Sequence, residues 1–344
     1  MNRTESASIL IPNLNGRELL KKCLPSVLEA ASEGSGNHEV IVIDMGSNDG
    51  SVSFLREYFP IVKVVELQDA WIPEALNAGL KIARNEIVII IDNDSILDEH
   101  FISPLLKHFE NPKLFAVHPK LLHWDRRTID GGKRQGTILF GIFETFGEHE
   151  NEKDSGQIDT VSPVLIAEHG AFRKKILIKL GGFDSLFPLY FNRIDISYRA
   201  WKKGYFIIFE PRSVEFHKSS VRFASKQKRR FPRPTRYYKT LEEKTRLLFM
   251  WKNFTDSRLL IRHIFLLPEY LVFRMIQSGD PVMVLTAFMS ASRQIPTIMK
   301  RRSYEKGTYL RSDKEVFSIL NLPFCLVNIP RKYIHSTLCR AAKF

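Results

Sequence analysis

Short apolar runs alternate with amphipathic helical patterns through the first 120 residues, and this rhythm restricts the folds open to the chain. The strand-like runs are Ile9–Ile11, Val40–Ile43, Ile61–Val65 and Ile87–Ile91. The helical patterns between them are Glu18–Ala31, Ser51–Tyr58 and Pro73–Ala83. Strands that are apolar on both faces are typical of a mostly parallel sheet covered by helices. We therefore predict an α/β fold that binds its ligand at the carboxyl ends of the strands.

The rhythm breaks after this region. Residues 124–160 are rich in Gly, Asp, Glu and Lys, and we predict a long irregular excursion there. Beyond it we predict helices at Arg173–Leu180 and near Ile194–Lys203, short strands at Phe206–Phe209 and Val214–Phe216, and helices near Tyr237–Lys252, Arg258–Ile276 and Pro281–Lys300. The chain accordingly divides into a sheet domain, 1–222, and a mainly helical C-terminal region, 223–344.

Charge is distributed unevenly between the two parts. Residues 199–344 hold 30 of the 51 Lys and Arg but 10 of the 38 Asp and Glu, so they carry a charge of +20, whereas residues 1–198 carry −7. A basic region of this kind could face anionic lipid, nucleic acid or a phosphate-bearing substrate, or could be a solvated basic surface.

Cysteine usage and hydropathy indicate the compartment. The three cysteines, Cys23, Cys325 and Cys339, form no CxxC pair, which disfavours a disulfide framework or a zinc site. No signal-peptide pattern is visible, and the apolar stretches 264–273 and 282–291 are shorter than the roughly 20 residues that span a bilayer. We expect a cytoplasmic protein, with peripheral attachment to the inner face of the membrane as an open option.

Polar residues follow three of the predicted strands. Asn13 ends the first, Asp44 the second, and Asp92 and Asp94 come after the fourth. Parallel strand tips lie side by side, so these groups could line one cleft. Two carboxylates two residues apart suit Mg²⁺ or Mn²⁺, which bridge to substrate phosphates. The alternative is a solvated turn in which Asn and Asp satisfy local backbone groups.

The motifs together resemble the inverting nucleotide-sugar glycosyltransferases of family 2, which have the GT-A fold. Four segments within residues 7–220 carry the resemblance: ILIPNLNGRELLKKCLPSVL, EVIVIDMGSNDGSVSFL, EIVIIIDNDSILDEHFI and KKILIKLGGFDSLFPLYFNRIDISYRAWKKGYFIIFEPRSVEFHKSS. LLFMWKN, at residues 247–253, is similar to a helix that follows the core in some branches. The pattern as a whole is similar to a rhamnosyltransferase-like branch.

The resemblance implies roles for the matching positions. Candidate contacts for the nucleotide-sugar donor are Pro12, Asn13, Asp44, Asn77, Asp92 and Asp94. The divalent cation, Mg²⁺ or Mn²⁺, would lie on Asp92, Asp94 and His217. Two residues would lie on the acceptor side, Glu168 and Asp184. From the residues alone, His217 could also be a satisfied strand-end histidine, and the Gly-Gly-Phe-Asp segment a helix stop.

The expected general base is missing from its usual place. The family carries Glu-Asp near the start of the helix at 192–204, whereas this chain has Asn192 and Arg193. An arginine guanidinium stays charged and accepts no proton. We predict that the retained Asp195 acts as the base. The alternatives are that Glu168 takes over, or that the chain is a catalytically impaired nucleotide-sugar-binding member.

The predicted function is inverting transfer of a sugar to a saccharide or lipid-linked acceptor, in synthesis of surface polysaccharide or glycolipid. The apolar faces of the C-terminal helices, flanked by Arg and Lys, favour docking on an anionic membrane; alternatively they pack on each other or across a homodimer.

A nucleotidyltransferase is the alternative enzyme class, disfavoured because no Gly-rich basic loop follows the first strand. The basic run 226–236, with Phe231, Tyr237 and Tyr238, could indicate a nucleic-acid binder, but no binding-fold signature accompanies it. A dinucleotide oxidoreductase is disfavoured because the chain has no GxGxxG motif.

Overall fold

A computed structural model describes residues 6–33, 36–130, 133–148, 160–218 and 235–322. The elements up to residue 106 are β1 (Ala7–Asn13), α1 (Arg17–Ser32), β2 (Glu39–Asp44), α2 (Ser51–Tyr58), β3 (Lys63–Glu66), α3 (Ile72–Ile82), β4 (Ile87–Ile90), β5 (Ser95–Leu97) and α4 (Ile102–Leu106). The next are β6 (Leu114–His123), β7 (Lys133–Leu139), β8 (Ile142–Glu148), β9 (Ser162–Pro163), β10 (Gly170–Arg173), α5 (Lys174–Lys179), α6 (Asn192–Lys202) and β11 (Phe206–His217). The C-terminal helices are α7 (Thr235–Asn253), α8 (Ser257–Ser278), α9 (Pro281–Ser292), α10 (Ile295–Lys306) and α11 (Asp313–Ile319).

The central sheet has the strand order β3-β2-β1-β4-β10-β6-β11-β5, and β9 also pairs with β11. Strands β3, β2, β1 and β4 are parallel to one another, as are β6 and β11. Strand β10 runs antiparallel between β4 and β6, and β5 runs antiparallel to β11. The mostly parallel sheet flanked by helices that the sequence predicts is therefore confirmed.

Side chains alternate along the strands between two apolar layers, one on each face of the sheet. In β1, Leu10 belongs to one layer, whereas Ile9 and Ile11 belong to the other. Each fully buried aliphatic side chain of this size contributes roughly 1.5–3 kcal/mol to folding. This is why the strands read as continuous apolar runs rather than alternating ones.

The C-terminal helices share the core of the sheet region. The ring of Phe249 on α7 lies 4.8 Å from that of Phe143 on β8, 5.4 Å from that of Phe191 and 5.7 Å from that of Tyr198 on α6. The predicted boundary at 222/223 and most of the basic run 226–236 lie outside the described residues. No helix among the described residues combines the length and apolarity needed to traverse a bilayer.

Three local predictions are wrong in detail. The excursion 124–160 contains a β-hairpin, β7–β8, whose connection through Phe140 and Gly141 places both residues at positive φ, as tight hairpin turns require. The two short strands after α6 are one strand, β11, with a register shift that accommodates Pro211. The single helix predicted at 281–300 is two helices, because Pro296 lies in the first turn of α10.

Glu39 at the start of β2 links three parts of the sheet. Its buried carboxylate accepts hydrogen bonds from Ser8 Oγ at 2.6 Å, Lys63 Nζ at 2.6 Å and the backbone N–H of Arg84 at 2.7 Å. Burial raises the pKa of Glu39, but the hydrogen bonds outweigh it and lower the pKa to about 2. The ionised carboxylate therefore stabilises the folded state.

We predict that Glu39→Gln lowers the free energy of unfolding by about 2 kcal/mol at pH 7. Because the pKa of Glu39 is depressed on folding, its contribution is present above the unfolded pKa of 4.5 and is lost as the pH falls towards 2. Urea unfolding at pH 7 and pH 3 measures the difference between variant and wild type. A deficit that stays constant between these pH values would contradict the assignment.

Candidate functional site

The carboxyl ends of β1 and β2 form one half of the site. Asn13 is paired in register with Asp44, so the two side chains meet, with Asn13 Nδ2 2.9 Å from Asp44 Oδ2. Asp44 also accepts from the backbone N–H of Ser47 at 2.8 Å and from Ser47 Oγ at 2.6 Å. Asn13 Oδ1 accepts from Asn93 Nδ2 at 2.6 Å. A Cβ at Gly16 would lie 2.2 Å from that nitrogen, so any larger residue there would displace the Asn13–Asn93 pair.

Two returning strands bring histidines to the same edge. Gly170 at the start of β10 is opposite Ile90 near the end of β4, so His169 lies beside Asp92. The separation between His169 Nε2 and Asp92 Oδ2 is 3.6 Å. The last residue of β11, His217, is opposite Ser95, and its Nε2 is 3.2 Å from Asp94 Oδ1 and 4.0 Å from Asp92 Oδ2.

A second carboxylate orients each histidine. Glu215 Oε1 is 2.6 Å from His169 Nδ1, and Asp130 Oδ2 is 2.8 Å from His217 Nδ1. Since each Nδ1 is engaged in this way, each Nε2 is left to face the acidic pair. Carboxylate–histidine pairs of this kind fix ring orientation and make imidazole a better metal ligand.

The charges of the cluster stabilise one another. Burial alone would lower the pKa of His169, but Glu215 and Asp92 outweigh it and raise that pKa to about 9. Burial also opposes the charged form of His217, yet Asp130 and Asp94 raise its pKa well above the usual value. Burial would raise the pKa of Asp92, whereas Arg193 and the two histidines hold it well below the usual range.

The donor set fits a divalent cation. Ligand atoms of Asp92, His169 and His217 all lie within 4.8 Å of one another, and Asp94 adjoins His217. Carboxylate oxygens and imidazole nitrogens together suit a first-row divalent metal such as Mn²⁺. The structure thus brings together the predicted Asp92, Asp94 and His217, and adds His169. No sequence signal marked His169, because its place follows from the antiparallel register of β10.

Arg193 also enters the cluster. Its Nη2 is 2.7 Å from Asp92 Oδ1, in a pair where Asp92 is 37% exposed and Arg193 is mostly buried. Phe191, just before α6, has a φ of +64°, a strained conformation for an aromatic residue. The packed ring of Phe191 holds this turn, which directs Arg193 towards Asp92. The residue at the family's base position therefore neutralises the first aspartate of the acidic pair.

Asp195 lies in a different environment from the predicted one. It is 0% exposed, and it accepts hydrogen bonds from Arg199 Nε at 2.8 Å, Lys252 Nζ at 2.7 Å and Asn253 Nδ2 at 2.9 Å. No acceptor hydroxyl could reach a carboxylate enclosed in this way. The arrangement argues against Asp195 as the general base and makes it a structural anchor between α6 and α7.

Two other predicted residues bind the protein itself. The side chain of Asn77 donates to the carbonyl oxygen of Phe183 and accepts from its N–H, at 2.8 and 2.9 Å. Asp184 pairs with Lys252 Nζ at 2.8 Å and with Arg301 on α10. Asn77 therefore holds the backbone of Phe183, its contact with the nucleotide sugar stays a prediction, and Asp184 connects the Gly-Gly-Phe-Asp turn to the C-terminal helices.

The remaining two predicted residues differ in accessibility. Pro12 is buried within β1. Glu168 is 28% exposed, directly precedes His169, and accepts a hydrogen bond from Arg134 Nε at 2.8 Å. Of the two candidate bases from the sequence, Glu168 is thus the one with a partly exposed carboxylate, and it is the chain neighbour of His169.

We predict that Asp195→Asn lowers the free energy of unfolding by about 3 kcal/mol, since it leaves Arg199 and Lys252 buried without their shared charge partner. Chemical denaturation at pH 7 measures the loss. Asp69→Asn is the matched control, because Asp69 is exposed with a φ of +48° that asparagine also tolerates. Full stability of Asp195→Asn together with lost sugar transfer would restore Asp195 as the base.

Two curated relatives match this chain in sequence. YfnE of Bacillus subtilis, an uncharacterised glycosyltransferase, is 32% identical over 194 residues, which cover 55% of this chain and 45% of that protein. A poly-β-1,6-N-acetyl-D-glucosamine synthase of Staphylococcus epidermidis is 27% identical over 218 residues, 62% of this chain and 50% of that one. The chain spans about half the length of these curated relatives.

The fold is shared with solved glycosyltransferases. The crystal structure of GalNAc-T7 with UDP, GalNAc and Mn²⁺ superposes with a TM-score of 0.54 at 17% identity, over 73% of this chain and 48% of that one. This likeness supports the GT-A fold, while the rhamnosyltransferase-like branch stays a prediction. Residues 8–181, half of the chain, match the family described as Glycosyl transferase family 2, and the chain belongs to that family.

Proposed function

We propose that this chain transfers a sugar from a nucleoside-diphosphate sugar to an acceptor hydroxyl, with inversion at the anomeric carbon. The observation that carries the proposal is the convergence of Asp92, His169 and His217 beside Asp94 at the carboxyl edge of the sheet. Ligands of open α/β sheets bind at this edge. The loop ordered by Asp44 and Asn13 lies at the same edge and is the proposed nucleotide side.

The leaving diphosphate determines what this site must supply. Negative charge grows on it as the glycosidic C–O bond breaks, so fixed positive charge lowers the barrier. A divalent cation on Asp92, Asp94, His169 and His217 would supply that charge. Two imidazole ligands favour Mn²⁺ over Mg²⁺, which prefers oxygen.

Arg193 supplies a second positive group. Its guanidinium already lies beside Asp92, where it can donate hydrogen bonds to a phosphate oxygen of the donor. In this role Arg193 takes part in neutralising the leaving group rather than in proton transfer. Because arginine replaces the family's general base at this position, a different residue of this chain has to accept the proton.

Glu168 is the proposed base. It adjoins His169, keeps part of its carboxylate exposed, and is held in place by Arg134. A base on the face opposite the leaving group takes the proton from the acceptor hydroxyl as the sugar C–O bond forms. The oxocarbenium-like sugar that precedes this bond is common to glycosyl transfer and glycoside hydrolysis.

The acceptor is proposed to be a saccharide or a lipid-linked saccharide in the cytoplasm, used for surface polysaccharide or glycolipid. A relative named as a poly-β-1,6-N-acetyl-D-glucosamine synthase supports this class. The second candidate function is nucleotide-sugar binding without transfer. Its support is the Arg193–Asp92 ion pair at the position where the family carries its base.

We predict that the wild-type melting temperature rises with Mn²⁺ and one member of a nucleotide-sugar panel, by mass action on the folded state. His169→Ala and His217→Ala should each raise the Kd for Mn²⁺ about tenfold or more, measured by the loss of the free Mn²⁺ paramagnetic resonance signal. His100→Ala is the control, since His100 is exposed and pairs with Glu33 instead. Unchanged Mn²⁺ binding in both site variants would contradict the proposed site.

We predict that Glu168→Gln lowers kcat for transfer about 10²- to 10⁴-fold, the usual contribution of a general base, while Mn²⁺ and donor binding persist. The amide keeps an oxygen for Arg134. Arg134→Gln removes the ion pair and leaves the carboxylate, so it should retain most of the activity.

Equal losses in the two variants would assign the effect to the ion pair and not to proton transfer. Donor binding by wild type with no transfer to any acceptor would favour the second candidate function.

A further inference from the structure

A row of apolar side chains faces outward along α8. Exposed members recur every three or four residues, which places them on one side of the helix: Ile261, Ile264, Phe265, Pro268, Val272 and Ile276. The opposite side of α8 carries Leu259, His263 and Tyr270, which are buried. The helix thus has one apolar side packed on the protein and a second that is open.

The row continues onto the two following helices. On α9, which contacts α8, Val282, Leu285 and Met289 are exposed at the same spacing, and Ile295 and Met299 are exposed on α10. Of the twenty large apolar side chains that are exposed among the described residues, twelve lie between residues 261 and 304. Scattered exposure is normal, whereas a concentration of this kind marks an interaction surface.

Charge distinguishes among the partners that could cover this surface. Residues 257–306 contain eight Lys and Arg against three Asp and Glu. Arg258 and Arg262 border the row on α8, Arg293 is exposed between α9 and α10, and Lys300 is exposed on α10. A second copy would bring like charges together, which opposes association. Residues 323–344 carry four Lys and Arg and no acidic residue, so they also lack complementary charge.

We infer that the exposed apolar face of α8, α9 and α10 is a docking surface for an anionic lipid bilayer. Apolar side chains would enter the boundary between headgroups and acyl chains, and the bordering basic residues would lie against the lipid phosphates. The attachment is peripheral and reversible. It does not depend on the proposed sugar transfer, because no residue of the acidic cluster takes part.

The test is flotation of the full chain with vesicles of phosphatidylcholine alone and with 30–40% phosphatidylglycerol. We expect binding to the anionic vesicles that weakens as salt is raised, and little binding to the neutral ones. Ile276→Glu should lower the partition coefficient about tenfold, since it removes apolar area and adds a repelled charge. The matched control is Ile61→Glu, because Ile61 is 78% exposed and Ile276 is 77% exposed, each an isoleucine outside the acidic cluster.

Equal losses in the two variants would overturn the docking surface, because net charge alone would then explain binding. Absence of binding to anionic vesicles at low salt would also overturn it. A wild-type dimer in sedimentation that Ile276→Glu dissociates, without vesicle binding, would assign the face to a second copy. Donor and Mn²⁺ are left out of the assay, so its result is separate from that of the transfer experiments.

Discussion

The site depends on two imidazoles held between carboxylates at one edge of the sheet. Asp92 and Asp94 follow the parallel strand β4, His169 directly precedes β10, and His217 ends β11 at the same edge. Each histidine is bound on its far nitrogen by a buried or nearly buried acid, Glu215 or Asp130. Because carboxylates face both nitrogens of each ring, positive charge stabilises the cluster. That charge can come from protons, a guanidinium or a divalent metal.

A second set of buried charges joins the C-terminal helices to this frame. Lys252 on α7 lies between Asp184 and Asp195, at 2.8 and 2.7 Å, and Arg199 closes the network on the side of α6. Buried pairs of this kind are costly to break once formed. Helices α9 and α10 pack on α7, and Arg301 on α10 also pairs with Asp184, so the helices with the outward apolar face are joined to the segment that carries Arg193.

Local patterns predicted the parallel half of the fold, because strand and helix periodicity there comes from burial on both faces. They also placed Asn13, Asp44, Asp92 and Asp94 correctly at one edge, since parallel strands end together. His169 could not be found this way, because it reaches the edge through the antiparallel register of β10. The contact between Arg193 and Asp92 joins residues 101 positions apart. The sequence shows that Asp195 is an acid but does not show that Lys252 and Asn253 enclose it, and this enclosure argues against its predicted role as the general base.

We propose that a divalent cation and a sugar diphosphate share this cluster. Crystals grown with Mn²⁺ and the nucleotide sugar that stabilises the chain most would test it through anomalous scattering at the manganese edge. We expect one strong anomalous peak in contact with Asp92, His169 and His217, with the diphosphate oxygens beside it and the nucleobase near Asp44. A manganese peak elsewhere, or a diphosphate bound away from these side chains, would contradict it.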